Sequence, residues 1–187
     1  MTDHPPSPSK RADAVRNRQR IMDAARAAFA ATGPETSMAE VARRSGVSPA
    51  TLYRNFESRH ELLEALLVDE VDEVCATAAT VEGDSPAERL ATWLRRFFQY
   101  VTTKRPVVIA LVEHTDTSNP VFDTRGRMLT AGRPLLTAAQ DAHQIDPGLD
   151  LDQILDMVVA IAKIPGTPQY RQPILDAALA GLRRRPT

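Results

Sequence analysis

Between Ser45 and Phe56 the chain reads SGVSPATLYRNF. Two hydroxyls (Ser48, Thr51), a phenol (Tyr53), a guanidinium (Arg54) and a carboxamide (Asn55) crowd into it. Hydroxyls, and the free amides at a helix N-terminus, bond phosphate oxygens. An arginine fork matches a guanine edge, and an asparagine amide matches adenine or holds a phosphate. The stretch therefore suits contact with a polyanion whose flat edges carry information. Its small residues permit close approach, where a helix built only to pack would carry more leucine. A second gathering, Glu113-His114-Thr115-Asp116, has acid–base or metal-binding side chains. A metal site needs several converging ligands, and nothing else in the chain supplies them. The run reads as a solvated helix end, and no metal or cofactor is expected. Catalytic motifs are also missing. There is no Gly-rich phosphate loop, nucleophile elbow or His-Glu-x-x-His, and His4, His60, His114 and His143 are scattered.

The first group needs a scaffold of two short helices. Ser37-Met-Ala-Glu40 reads as a capping box, with the serine taking an amide and the glutamate reaching back. Ser48-Pro49 reads as an N-cap followed by proline at the first helical position. Gly46 can take the positive φ of a sharp turn between them, and Ala42 lets the helices approach. Val41, Val47 and Leu52 face inward. This spacing is a helix-turn-helix, whose second helix enters the DNA major groove. In that frame Phe56 packs rather than binds, and Arg59, opening the next helix, is placed for the DNA backbone.

Further N-caps read at Ser58 to Glu61, Ser85 to Glu88 with Pro86, Asn119-Pro120, and Asp150 to Gln153. Sustained period-two alternation is absent, so the fold class is all-α. The pattern predicts nine helices: 13–31, 38–45, 49–55, 59–80, 86–103, 106–114, 120–143, 151–164 and 171–184. Gly126, Gly132 and Pro134 predict a kink or break in the seventh. Residues 1–10, rich in proline and serine, read as a disordered tail. Residues 11–58 read as the helix-turn-helix domain, and 59–187 as a second helical domain.

Of the 187 residues, 43% are apolar and 25% charged, ordinary for a globular chain. The longest apolar runs, Val107–Val112 and Met157–Ala162, fall far short of the ~20 residues a membrane span needs. The opening MTDHPPSPSKR lacks the apolar segment of a secretory signal. Cys75 is the single cysteine, which excludes an intramolecular disulfide and a cysteine-based zinc site. These features predict a cytoplasmic protein. The net charge of −1 hides an asymmetry: residues 1–60 carry ten basic and six acidic side chains, the remainder thirteen and eighteen. A basic first third points towards a polyanion.

The run RQRIMDAARAAFAATGPETSMAEVARRSGVSPATLYRNFESRHELLEAL, Arg18 to Leu66, resembles the DNA-binding domain of the TetR family of transcriptional regulators. The resemblance implies that Thr36, Ser37, Ser48, Ala50, Thr51, Tyr53, Arg54, Asn55 and Arg59 contact DNA, with Ser37 capping its helix first. Two positions depart from the family pattern. Asn55 stands where histidine is frequent, and Arg59 where lysine is frequent, which keeps charge and changes geometry. The stretches RLATWLRRFFQYVTTKR (89–105) and YRQPILDAALAGLRRR are similar to one subgroup of the family's C-terminal domains.

Leu151, Ile154, Leu155 and Val158 form a wide apolar face on the eighth expected helix. Ile174, Leu175, Ala178, Leu179 and Leu182 do so on the last. The resemblance implies a homodimer, and these two helices from each subunit would bury their faces in a four-helix bundle. It also implies a small-molecule effector, with Trp93, Phe97, Tyr100, Val108, Met128 and Met157 as candidate pocket lining. The expected function is a sequence-specific DNA-binding regulator: a repressor released from a palindromic operator by the effector. The alternative is an activator, or a regulator without ligand control.

Overall fold

The computed structural model describes the backbone of residues 8–112 and 124–184. Eight α-helices order these residues: α1 Pro8–Thr32, α2 Met38–Ser45, α3 Pro49–Asn55, α4 Arg59–Thr80, α5 Pro86–Val112, α6 Thr124–Asp141, α7 Leu151–Lys163 and α8 Pro168–Gly181. A 3-10 turn, Gly33–Glu35, joins α1 to α2, and an isolated antiparallel bridge pairs Ile145 with Arg183. Among the described residues there is no strand, and no helix is long and apolar enough to cross a membrane.

The helix starts follow from their caps. Ser37 Oγ accepts from the Glu40 amide at 3.2 Å, and Ser48 Oγ from the Thr51 amide at 3.2 Å. Ser58 and Ser85 accept from the Glu61 and Glu88 amides in the same way. The return half of the expected boxes differs. Glu40 turns forward to Arg43 and Arg44. Glu61 and Glu88 reach one residue further back, to the Glu57 and Asp84 amides. Only at α7 are both halves present, between Asp150 and Gln153. There the carboxamide closes the box.

Four boundaries correct the sequence reading. First, α1 begins at Pro8, so residues 8–10 are helical rather than part of a disordered tail. Proline is preset for a first helical turn. Residues 1–7 lie outside the described residues. Second, α5 runs through Pro106, merging two expected helices, because proline removes one helical hydrogen bond without forcing an end. Residues 113–123, which hold the Glu113–Asp116 run and the Asn119-Pro120 start, lie outside the described residues. Third, α6 continues past Gly126, Gly132 and Pro134. Gly132 is a packing gap: a Cβ there would lie 2.4 Å from Cη2 of Trp93. Fourth, α8 starts at Pro168, where the Thr167 hydroxyl takes the Tyr170 amide at 3.3 Å.

Two compact units result, one of Met1–Leu67 with Pro106–Thr115, the other of Val68–Arg105 with Asp116–Thr187. The core of the first is Ile21, Met22, Ala25 and Phe29 of α1, Val41 and Ala42 of α2, Leu52, Phe56, and Leu62, Leu63 and Leu66 of α4. Val47 is half-buried, and Val15 is 69% exposed. The second unit buries Leu90, Trp93, Leu94, Met128, Leu136 and the inner faces of α7 and α8.

Candidate nucleic-acid interface

The turn between α2 and α3 is closed by backbone geometry. Gly46 has φ 66°, a left-handed conformation that a Cβ resists. Its neighbour Val47 donates to the Ala42 carbonyl at 3.3 Å. Leu52 and Phe56 are wholly buried, so α3 is held by two apolar anchors four residues apart, one turn of helix. The opposite side of α3 faces outward. Ser48, Pro49, Ala50, Tyr53 and Arg54 are exposed, and Tyr53, at 50%, is among the few large apolar-bodied side chains left uncovered.

The outward side chains are ordered in a chain. Arg54 Nη2 donates to Thr51 Oγ1 at 3.0 Å, and Thr51 Oγ1 lies 2.9 Å from Ser48 Oγ. Arginine only donates. Either hydroxyl can donate within the Ser48–Thr51 pair, and the one that accepts keeps its own proton for an outside partner. Outward donors along one face, beside a helix N-terminus, suit phosphate oxygens. The remaining Arg54 donors suit a base edge.

Three other sequence candidates have structural duties. Thr36 is 4% exposed. Its hydroxyl sits 2.7 Å from Thr32 Oγ1 and donates towards the Gly33 carbonyl at 2.9 Å, so this side chain locks the α1–α2 turn. Asn55 is half-buried, and its Nδ2 donates to the Thr51 carbonyl at 2.8 Å, inside its own helix. Arg59 Nε donates to the Thr36 carbonyl at 3.2 Å, with the guanidinium 5.6 Å over the Phe29 ring. His60 lies 3.2 Å from Glu64, one turn on. Ser37 is exposed and caps α2.

The contacts also bring in arginines that the motif did not mark. Arg18 Nη1 donates to the Asn55 carbonyl at 3.0 Å and covers the Phe56 ring at 4.2 Å. Arg20 Nη2 donates to the Ser45 carbonyl at 2.9 Å. Arg44 reaches the Ala27 carbonyl at 3.4 Å. Cations at helix C-termini oppose the negative end of the helix dipole. The sequence signal for Arg18 is its register: it falls in one stripe with Met22, Ala25 and Phe29. On α2, hydrogen bonds from Arg43 and then Arg44 hold the Glu40 carboxyl at about 2, well below its ordinary range.

Residues 21–66 match the profile of bacterial regulatory proteins of the tetR family, and residues 85–184 match the C-terminal domain of SbtR-like transcriptional regulators. The chain belongs to the TetR family. A TetR transcriptional regulator of Streptomyces coelicolor is 31% identical, covering 89% of this chain and 98% of that one at a TM-score of 0.75. A TetR transcription regulatory protein of Mycobacterium vanbaalenii is 30% identical over 93% of this chain and 99% of its own, also at 0.75. The HTH-type transcriptional regulator TtgW of Pseudomonas putida is 40% identical over 57 residues, 30% of this chain and 42% of TtgW. That match thus spans about two-fifths of the curated relative. TetR proteins are DNA-binding transcription regulators, not enzymes.

In the second unit, the part matched to the TetR C-terminal domain, Trp93, Phe97 and Tyr100 stack along α5, with successive ring centroids 6.3 Å apart. Trp93 Nε1 donates to the Val74 carbonyl at 3.0 Å. Burial, then the charges of Glu70 and Cys75, push the Tyr100 phenol well above its ordinary pKa, so it stays protonated. Met128 Sδ lies 3.9 Å from Cys75 Sγ. A recess of about 540 Å³ opens between the end of α4 and α5, lined by Thr77, Thr80, Val81, Glu82, Thr92, Trp93, Arg95, Arg96 and Gln99. Of the expected pocket residues only Trp93 borders it. Phe97 and Met128 are buried, Tyr100 and Met157 are half-buried, and the Val108 side chain lies outside the described residues.

Leu151, Ile154, Leu155, Val158, Leu175, Leu179 and Leu182 are buried within the single subunit. α7 and α8 satisfy these faces against their own chain, and only Ile174 and Ala178 keep partial exposure.

Proposed function

We propose that this TetR protein is a repressor that binds a palindromic operator as a homodimer and is released by a small-molecule effector. The observation that carries the DNA reading is the two-sided character of α3. Leu52 and Phe56 are buried on one side, while Ser48, Tyr53 and Arg54 stand exposed on the other. The first 60 residues carry the basic excess that a phosphate backbone attracts. A groove contact by Ser48, Ala50, Thr51, Tyr53 and Arg54 fits these facts. Ser37 supports it from the N-terminus of α2.

For the dimer, the outward faces of α7 and α8 are the better candidates: Met157, Ala160 and, just past the helix end, Ile164 on one, Tyr170, Ile174 and Ala177 on the other. They recur at three- and four-residue steps and are exposed or half-exposed. Two such pairs make a four-helix bundle, with reading helices about one DNA turn apart. Ala177→Arg tests this by light scattering after size exclusion. Monomers with an unchanged helical spectrum are expected; an intact dimer would place the interface elsewhere.

The effector acts by population shift. It binds the C-terminal domains better in a conformation whose reading heads are wrongly spaced. About 100-fold preference corresponds to ~2.7 kcal/mol and moves occupancy substantially. α4 contributes residues to both units and is the natural carrier of the shift. Residence in the cytoplasm, where the operator is, belongs to the same reading.

The deciding experiment is selection from a random-sequence duplex pool at about 150 mM salt, where non-specific phosphate binding is weakened. Enrichment of an inverted repeat is expected. A selected pool with no motif would overturn the sequence-reading dimer. The selected duplex then serves as the probe for release by candidate effectors.

A further inference from the structure

α3 is only seven residues long, Pro49–Asn55. So short a helix has no stability of its own and takes its orientation from what it touches. Its N-terminal end is fixed by Pro49 and the Ser48 cap, and its middle by Leu52. Its C-terminal end has two external restraints. One is Phe56, buried just past the last turn. The other is Arg18 of α1, which donates to the carbonyl of the last helical residue, Asn55, and sits over Phe56, 4.2 Å from the ring centroid.

We infer that Arg18 is a positioning residue for DNA reading: it sets the angle of the recognition helix and thereby where Arg54 and Tyr53 reach. This rests on α3 being the groove helix. The chemistry suits arginine specifically. A planar guanidinium can stack on a ring while its N–H groups donate in the plane. One side chain thus fixes both the carbonyl direction and the ring beneath it. Arg54 is one position before the restrained carbonyl and Tyr53 two before. An angular error at Asn55 passes straight to them, while Ser48 and Thr51, at the other end, are held by their own cap.

This role is separable from that of a phosphate contact. An arginine on the backbone adds affinity for any sequence and contributes about one unit to the salt slope. A positioning arginine changes the preference for the right sequence and leaves the salt slope alone. The full-length wild type is first carried through the random-pool selection. The wild type, Arg18→Ala and Arg18→Lys are then titrated against the selected duplex and a scrambled duplex, over a range of salt, with thermal melts alongside.

For Arg18→Ala the selected-to-scrambled affinity ratio is expected to fall roughly tenfold, the size of losing one well-made base contact. Affinity for the scrambled duplex and the salt slope should stay at wild-type values. Repeating the selection with the variant should relax preference at the positions read by Arg54. Equal loss on both duplexes with a shallower slope would overturn the inference and make Arg18 a phosphate ligand. An unchanged ratio would overturn it outright. If Arg18→Ala does not fold, Arg18→Lys decides the question. Lysine keeps the charge but cannot stack flat and donate in plane together, so the ratio should still fall at constant slope; a wild-type ratio sinks the idea. Failure of the wild type to select any motif is a different result, and removes the groove reading itself.

Discussion

Tyr53 and Trp93 are aromatic side chains of two units that use their rings in opposite ways. Tyr53 stands 50% exposed on α3, whereas Trp93 is fully buried in α5 with its indole N–H satisfied by Val74. Around Tyr53, order comes from the backbone: caps, a left-handed glycine and arginines on helix-end carbonyls. Around Trp93, order comes from volume: a stacked ring, a missing Cβ at Gly132 and apolar neighbours. The first unit thus offers polar groups on a fixed short frame. The second fills its interior and leaves a recess at the edge of the packing. A surface that reads another molecule must stay uncovered, and an interior must not.

Trp93→Ala should produce the largest effect, a loss of about 3–5 kcal/mol of stability, from cavity formation and the lost indole hydrogen bond. Urea unfolding checks it, and a loss below about 1 kcal/mol would mean that Trp93 is not a core residue of this kind. Arg54→Ala should lower discrimination between the selected duplex and single-base variants by about 1–3 kcal/mol, while stability changes by less than ~0.5 kcal/mol. A large change in melting temperature there would erase the contrast between the units. Gly46→Ala should cost about 1–2 kcal/mol through its positive φ, with DNA affinity falling in step, because backbone geometry carries the function in this unit. Calorimetry and duplex titration together would separate the two.

The smallest effect concerns Glu40. Its folded pKa is about 2 against an ordinary 4.5, so its pairing with Arg43 and Arg44 contributes fully above 4.5. That contribution fades as pH falls towards 2. The melting-temperature difference between wild type and Glu40→Gln should therefore be greatest near neutral pH and shrink in acid. A difference that is constant across that window would show that the arginines do not distinguish carboxylate from carboxamide. Because the pair is solvent-exposed, the difference should also shrink in high salt.

The first unit was largely legible because its devices are local. Ser37, Ser48 and Gly46 act on amides and dihedrals within a few residues, so spacing alone gives both their presence and their purpose. Ser58 and Ser85 were legible for the same reason, although their glutamates bond one amide further back than a box requires. The rest depended on contacts between distant segments. Nothing local distinguishes Thr36 as a buried strut from Thr36 as a DNA contact, since a hydroxyl serves both. Arg18 was visible as a member of the α1 stripe, but its carbonyl partner lies 37 positions away. The apolar faces of α7 and α8 were read correctly as apolar. Hydrophobicity records that a face must be covered, not whether its own chain or a second copy covers it. Gly132 and Pro134 were read as breakers by their usual effect on isolated helices, yet α6 continues past both.

The fit between Gly132 and Trp93 ties two positions together across the history of this lineage. With Trp93 in place, even a single methyl at 132 would collide with the indole, and with a smaller residue at 93 the glycine would leave a hole. Neither position can drift freely while the other stands still. Related sequences should therefore exchange volume between them, a smaller residue at the tryptophan position accompanying a side chain at the glycine position. The intermediate steps are the unfavourable ones, which makes the pair a slow, jointly inherited character rather than two independent sites.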